Sequence, residues 1–157
     1  PPTKSPEEII TGLQKLGPEP FSDLFSTSYL VERLKNSRRP IKSSLLDQSV
    51  VAGAGNIYSD ECLFLAKINP YTSSNKLTKK QLSNIRSTLI EVLRVSIGSG
   101  GTTFSDFRDL EGINGNYGGQ AWVYRRGGKL CKKCGSKINR TKISGRSTHW
   151  CPKCQQY

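Results

Sequence analysis

Cys131, Cys134, Cys151 and Cys154 form a C-x2-C-x16-C-x2-C array close to the end of a 157-residue chain. Thiolates are soft ligands, and two C-x-x-C pairs at this separation suit one tetrahedral, structural Zn2+, each pair making one knuckle of a short ribbon. The segment around them is basic: it holds ten Lys/Arg side chains from Arg125 to Lys153, and no acidic residue follows Glu111. A metal-stapled hairpin with so much uncompensated charge matches the phosphate backbone of a nucleic acid. Two disulfides in a secreted mini-domain are the competing use of four cysteines. The odd fifth cysteine and the lack of an apolar run long enough to cross a membrane weigh against them. The array is therefore read as a zinc site. Four thiolates complete its shell, which leaves His149 outside it, and Cys62, with no partner at metal spacing, reads as a small buried hydrophobe.

Charge is placed unevenly. The formal net charge is +12, yet residues 1–111 carry 14 basic and 12 acidic side chains, while residues 112–157 carry ten basic and none acidic. Such asymmetry marks contact with nucleic acid or an anionic surface rather than a solubility feature. A membrane surface is the rival partner, but the tail shows no basic amphipathic helix. The length allows one or two small domains around one modest core, and the composition suits a reducing compartment where thiolates stay available for metal.

A scaffold of helices must position this ribbon. Ser5-Pro6-Glu7-Glu8 is a helix start, with an apolar face of Ile9, Ile10, Leu13 and Leu16 and a stop at Gly17-Pro18. After an irregular linker, a second helix is expected over Ser28–Asn36, halted by Arg38-Arg39-Pro40. Ser44–Val51 and Asn56–Ala66 read as two helices joined by a glycine turn at Gly53-Ala54-Gly55, a helix–turn–helix type of hairpin. The turn would leave unpaired N–H groups at the second helix start, beside Asn56, as a ready anion site. Close helix packing would also explain the glycines. Thr78-x-x-Gln81 is a capping box opening the longest helix, whose stripe of Leu82, Ile85, Leu89, Val92 and Leu93 runs to about Ile97 before Gly98, Gly100 and Gly101. The polar, glycine-rich Thr102–Gly119 reads as a long loop, functional or disordered. Gln120–Tyr124 is expected to be a strand leading into the ribbon, with a turn at Gly127-Gly128.

In order along the chain stand LGPEPF (Leu16–Phe21), IKSSLLDQ (Ile41–Gln48), GAGNIYSDE (Gly53–Glu61), GGTTFSDF (Gly100–Phe107), and VYRRGGKLCKKCGSKI running on to GRSTHWCPKCQ (Val123–Gln155). These segments resemble the C-terminal half of the formamidopyrimidine-DNA glycosylases, the bacterial Fpg/Nei repair family, with GRSTH suiting the formamidopyrimidine branch. The resemblance implies a mostly α fold: a helix–two-turn–helix DNA-binding domain followed by a small zinc-ribbon β-hairpin. It divides the chain into an interdomain helix and linker (1–25), a helical domain (26–119) and the hairpin (120–157). It further implies that Lys42 and Asn56 contact phosphates flanking a lesion, with Tyr58 near them. Arg146, in the hairpin turn, would reach the minor groove, where a guanidinium fork can hold phosphate bidentately. The 102–119 loop would close over an extruded 8-oxoguanine or formamidopyrimidine. One structural zinc, a damaged or abasic DNA duplex as partner, a monomeric state and a place at the bacterial nucleoid complete the expectation.

The family's chemistry uses an N-terminal proline amine followed directly by glutamate on a separate β-sandwich domain; the amine attacks C1′ of the sugar to give a Schiff base. This sequence starts Pro1-Pro2-Thr3-Lys4, and Glu7 and Glu8 look like first-turn helix carboxylates. Pro1 and Pro2 are accordingly expected to be linker residues. No catalytic residue is assigned, and the chain is expected to be a piece of the enzyme that binds rather than cuts. A complete enzyme using Pro1 is the rival within the family. The alternative from another class is a zinc ribbon that binds RNA or a protein, with Trp122, Tyr124 and Trp150 available to stack on single-stranded bases.

Overall fold

Short polar caps and one proline set the helices of the computed structural model, which describes residues 16–100 and 121–156. The expected first helix, all but its last residue Leu16, and the 102–119 loop lie outside those residues. Helix α1 (Thr27–Leu34) starts where the Ser26 side chain accepts the Tyr29 N–H at 3.0 Å. Helix α2 covers Ile41–Leu46, beginning and ending before the expected Ser44–Val51. Pro40, with φ −53° and ψ 142°, is the extended residue that launches it rather than only a stop for α1. Asp47 ends it: the backbone turns extended, and its Oδ1 accepts the Ser49 N–H at 2.9 Å and hydroxyl at 2.7 Å. Such a local carboxylate bond competes with the helix ladder.

Between α2 and helix α3 (Gly55–Leu65) the chain makes successive tight turns. Val50 N–H donates to Asp47 O at 2.9 Å, and the Gln48 side chain accepts the Gly53 N–H at 2.9 Å. Gly53 and Gly55 hold φ of 89° and 64°, a region in which side-chain-bearing residues are strained. Helix α4 (Lys79–Gly100) opens with the expected reciprocal capping box, Gln81 N–H to Thr78 Oγ1 at 3.1 Å and Thr78 N–H to Gln81 Oε1 at 2.9 Å. It runs through Gly98 instead of stopping there. One glycine costs about 1 kcal/mol against alanine, too little to end a long helix.

Helix α3 is the centre of the fold. Ile57–Phe64 are buried without a gap, polar Ser59, Asp60 and Glu61 included. Helices α2 and α4 and strand β2 of the zinc region all pack against it. Leu30, Leu45, Leu63, Leu89 and Leu93 stand in the main apolar core, while Phe64, Val123 and Ile138 form a second, smaller one with Cys131 and Cys151.

Strands β1 (Asn139–Ile143) and β2 (Arg146–Trp150) pair antiparallel, from Asn139 opposite Trp150 to Ile143 opposite Arg146. Ser144 and Gly145 join them with φ of 52° and 77°, the positive pair that matches the twist of a two-residue hairpin. Ala121–Tyr124 form bends and a turn in place of the expected strand. The N–H groups of Trp122, Val123 and Tyr124 have another acceptor, the Glu61 carboxylate. Among the described residues, no helix is long and apolar enough to cross a membrane.

Candidate metal centre and nucleic-acid interface

The four array cysteines meet at one point. Their Sγ atoms all lie within 4.8 Å of one another, with Cys131–Cys154 at 3.9 Å and Cys134–Cys151 at 3.4 Å. Zinc–sulfur bonds of about 2.3 Å in a tetrahedron separate the sulfurs by about 3.8 Å. A disulfide requires about 2.05 Å. The thiols are free and fit one structural zinc ion. Hydrogen bonds from the Ser136 backbone and side chain lower the Cys134 thiol to about 6, whereas burial and the crowding cysteines push Cys154 up to about 12. A divalent cation among such thiols removes the conflict by favouring the thiolate at every ligand.

Two adjacent carboxylates on α3 fasten this region to the helices. Glu61 Oε1 accepts the Trp122 N–H at 2.8 Å, and its Oε2 accepts those of Val123 and Tyr124 at 2.8 and 3.0 Å. Charge-assisted bonds from three successive amides offset the desolvation of a buried carboxylate, which would otherwise cost several kcal/mol. Trp122 stacks on Phe64 at 5.6 Å between ring centroids, with the Lys133 ammonium 5.1 Å from the indole centroid. Asp60 works on β2: its Oδ2 accepts the His149 N–H at 3.0 Å and lies 3.0 Å from His149 Nδ1, while Oδ1 pairs with Lys42. His149 thus has a partner of its own away from the metal. Farther along, the Gln155 side chain joins Cys151 N–H to Ile68 O at 2.8 and 3.0 Å.

The residues expected to meet phosphate are placed at different depths. Arg146 is exposed at the end of the hairpin turn. Asn56 is half-buried at the start of α3, its Nδ2 donating to Ser147 O at 3.1 Å. Lys42 has no exposed surface, and burial pulls its ammonium below the usual amine range against the opposing pull of Asp60. Tyr58 is 2% exposed, and its hydroxyl meets Ser96 Oγ at 2.8 Å. Burial pushes that phenol up. The structure therefore brings Asn56 and Arg146 together at Ser147, buries Lys42 against the Ser147 carbonyl and turns Tyr58 toward Ser96.

A cleft of about 320 Å3 opens next to Ser147, lined by Tyr124, Arg125, Gly127, Arg140, Ser147 and His149. Arg140 donates to Ser147 Oγ at 3.1 Å, and a Cβ on Gly127 would stand 2.9 Å from the Arg140 Cβ, so only glycine permits this approach. The guanidinium groups of Arg125 and Arg140 make it a cationic concavity. The sequence motifs alone do not single out Asp60, Glu61 or Arg140. Two carboxylates inside the apolar run NIYSDECLFLA are the available signal, since charges on a buried helix require partners.

Residues 16–108 match the family model described as the formamidopyrimidine-DNA glycosylase H2TH domain, and residues 128–156 match a zinc finger found in FPG and IleRS. The chain belongs to the formamidopyrimidine-DNA glycosylase family. It is 69% identical over 156 residues to the formamidopyrimidine-DNA glycosylase of Prochlorococcus marinus (strain MIT 9313), covering 99% of this chain and 54% of that protein. Identity is 59% to the one from Acaryochloris marina (strain MBIC 11017), over 98% of this chain and 54% of the relative. The crystal structure of the MutM (Fpg) protein from Thermus thermophilus superposes with a TM-score of 0.83 at 40% identity, over 97% of this chain and 58% of that one. The Lactococcus lactis enzyme bound to Fapy-dG-containing DNA gives 0.81 at 37%, over 96% and 54%. The chain spans about half the length of the curated relatives it matches.

Proposed function

We propose that this chain is the duplex-gripping portion of a base-excision-repair glycosylase/AP lyase for oxidised purines, 8-oxoguanine and formamidopyrimidines, working as a monomer at the bacterial nucleoid. The observation that carries the reading is the convergence on Ser147: Asn56 at the start of α3 bonds to it, Arg146 of the hairpin turn precedes it, and it lines a cleft with Arg125 and Arg140. A helix N-terminus and guanidinium forks are complementary to phosphates, and two turns between α2 and α3 suit a helix–two-turn–helix hairpin. Relatives of the same fold are described bound to Fapy-dG-containing and AP-site-containing DNA, which supports a damaged or abasic duplex as the preferred partner. In this reading Asn56 and Arg146 touch phosphate, Lys42 acts from behind through its bonds to Ser147 and Thr148, and Tyr58 packs within the helical core against Ser96.

Taken by itself, the 157-residue chain binds without releasing base or cutting the strand. The aromatics speak against a single-strand reader: Trp122 stacks on Phe64, Tyr124 packs on His149 and the Trp150 N–H donates to Thr141 Oγ1. Fluorescence anisotropy with an abasic-analogue duplex and an undamaged one, across a salt series, tests the reading. Tighter binding to the damaged duplex is expected, with a log–log salt slope of about −0.9 per phosphate contacted. Equal affinity for both duplexes would refute lesion preference, and borohydride-trapped protein–DNA adduct would refute binding without chemistry.

A further inference from the structure

Lys42 and Asp60 are each wholly shielded from solvent, and the way their valences are filled leaves nothing over for DNA. An ammonium has three N–H donors. Those of Lys42 face Asp60 Oδ1 at 2.5 Å, Thr148 Oγ1 at 2.9 Å and Ser147 O at 3.3 Å. Asp60 Oδ2 is taken by the backbone N–H of His149 and lies beside its ring nitrogen. Asn56 adds a bond to the same Ser147 carbonyl. Every group on the far side of this network thus belongs to Ser147, Thr148 or His149, consecutive residues of β2. The residue before them is Arg146.

The network runs between α2 and α3 on one side and a single strand on the other, so it fixes a position and not merely a contact. Apolar side chains would bury the same area with less demand on register. A charged pair with directed bonds tolerates only one, because a one-residue slip of β2 strands a buried ammonium and carboxylate. Such a slip would also turn Arg146 away from its face. The hairpin tip is guided similarly: Ser144 Oγ lies 2.6 Å from Ser43 Oγ of α2.

We propose that Asp60, with Lys42 as its buried counter-charge, is a positioning residue for Arg146: it sets the register of β2 on α3 and through it the grip on phosphate. The proposal rests on the duplex-DNA reading above. It deepens that reading by making a residue with no exposed surface govern affinity.

Asp60→Asn tests it at nearly constant shape. An amide has one acceptor oxygen and two N–H donors, so donor faces donor toward either Lys42 or His149. The chain should keep one zinc and its helical content, while the His149 amide exchanges about tenfold faster. Affinity for the abasic-analogue duplex should fall about tenfold, and combining Asp60→Asn with Arg146→Ala should weaken binding no further than Arg146→Ala alone. Multiplying losses in the double variant would overturn the proposal, since a merely stabilising Asp60 acts independently of Arg146. An unchanged His149 amide would overturn it as well. Should Asp60→Asn fail to hold zinc, Thr148→Val removes one acceptor of Lys42 and leaves both charges paired. About threefold weaker binding is then expected, again absorbed by Arg146→Ala, and unaltered affinity would sink the idea. A parent chain that binds no duplex would overturn both the DNA reading and the grip. His149 amide exchange would still decide whether Asp60 docks the hairpin.

Discussion

Residues 26–96 and residues 121–156 are held together by different forces. The first region has a continuous apolar core contributed by all four helices, with Leu30, Leu63, Leu89 and Leu93 essentially without exposed surface. The second has a small apolar cluster in which two of the buried members are metal-site cysteines, and it depends on Glu61, Asp60 and Asn69 of its neighbour for hydrogen bonds. The helical part thus carries a core of its own, whereas the order of the hairpin is conditional. Its order requires a metal on one side and two buried carboxylates on the other.

The largest effect should come from the metal. Cys134→Ser, or stripping zinc with a chelator, should abolish amide protection across 121–156 while the helices persist, because zinc binding and folding are coupled in so small a site. Metal content by mass spectrometry and hydrogen exchange report the two regions separately. Unchanged zinc content in Cys134→Ser would refute the four-thiolate shell, and simultaneous loss of the helices would refute the independence of the first region.

A matched pair of substitutions sharpens the contrast. Leu89→Ala leaves a cavity in the helical core and should cost about 2–5 kcal/mol in denaturant unfolding without loss of zinc at low denaturant. Glu61→Gln replaces an acceptor of three amides by a group that must turn a donor toward one of them, a loss of about 1–3 kcal/mol. That loss should fall on Trp122–Tyr124, read as faster amide exchange there and altered Trp122 fluorescence. Equal broadening over both regions by both variants would mean that the seam does not separate them.

The same contrast explains what the sequence discloses. Cysteine spacing is covalent information, and it leads directly to the zinc cluster. The Thr78–Gln81 box and the α4 stripe are local patterns, and both stand in the fold. The failures lie where a distant partner overrides local preference. Ala121–Tyr124 has strand-like composition, yet Glu61, some 60 residues earlier, collects the amides of Trp122, Val123 and Tyr124 into a turn. The α2 boundaries differ because Pro40 precedes the helix and Asp47 bonds to Ser49. Lys42 carries a surface-type residue name, and only the tertiary fold supplies the Asp60 and Thr148 that bury it.

The smallest effect concerns the end of α3, where the two regions meet. Lys67 is exposed and holds φ of 60°, a left-handed conformation, while Lys67 N–H and Ile68 N–H close the helix on Phe64 O and Leu63 O, each at 3.0 Å. This is the position that glycine favours, because a Cβ there costs about 1–2 kcal/mol. Against that, Lys67→Gly raises the entropy of the unfolded chain, a cost to folding of about 0.5–1 kcal/mol. It also removes a cation from the negative end of the helix dipole, worth about 0.3–1 kcal/mol. Conformational strain is the larger of these at an exposed site in salt, where the charge contribution is screened. A net gain of about 0.5 kcal/mol is therefore expected in the unfolding of the helical region, growing as ionic strength rises. A loss that disappears in high salt would show instead that the Lys67 ammonium outweighs its own strained backbone, and that charge rather than geometry terminates the helix on which the zinc hairpin rests.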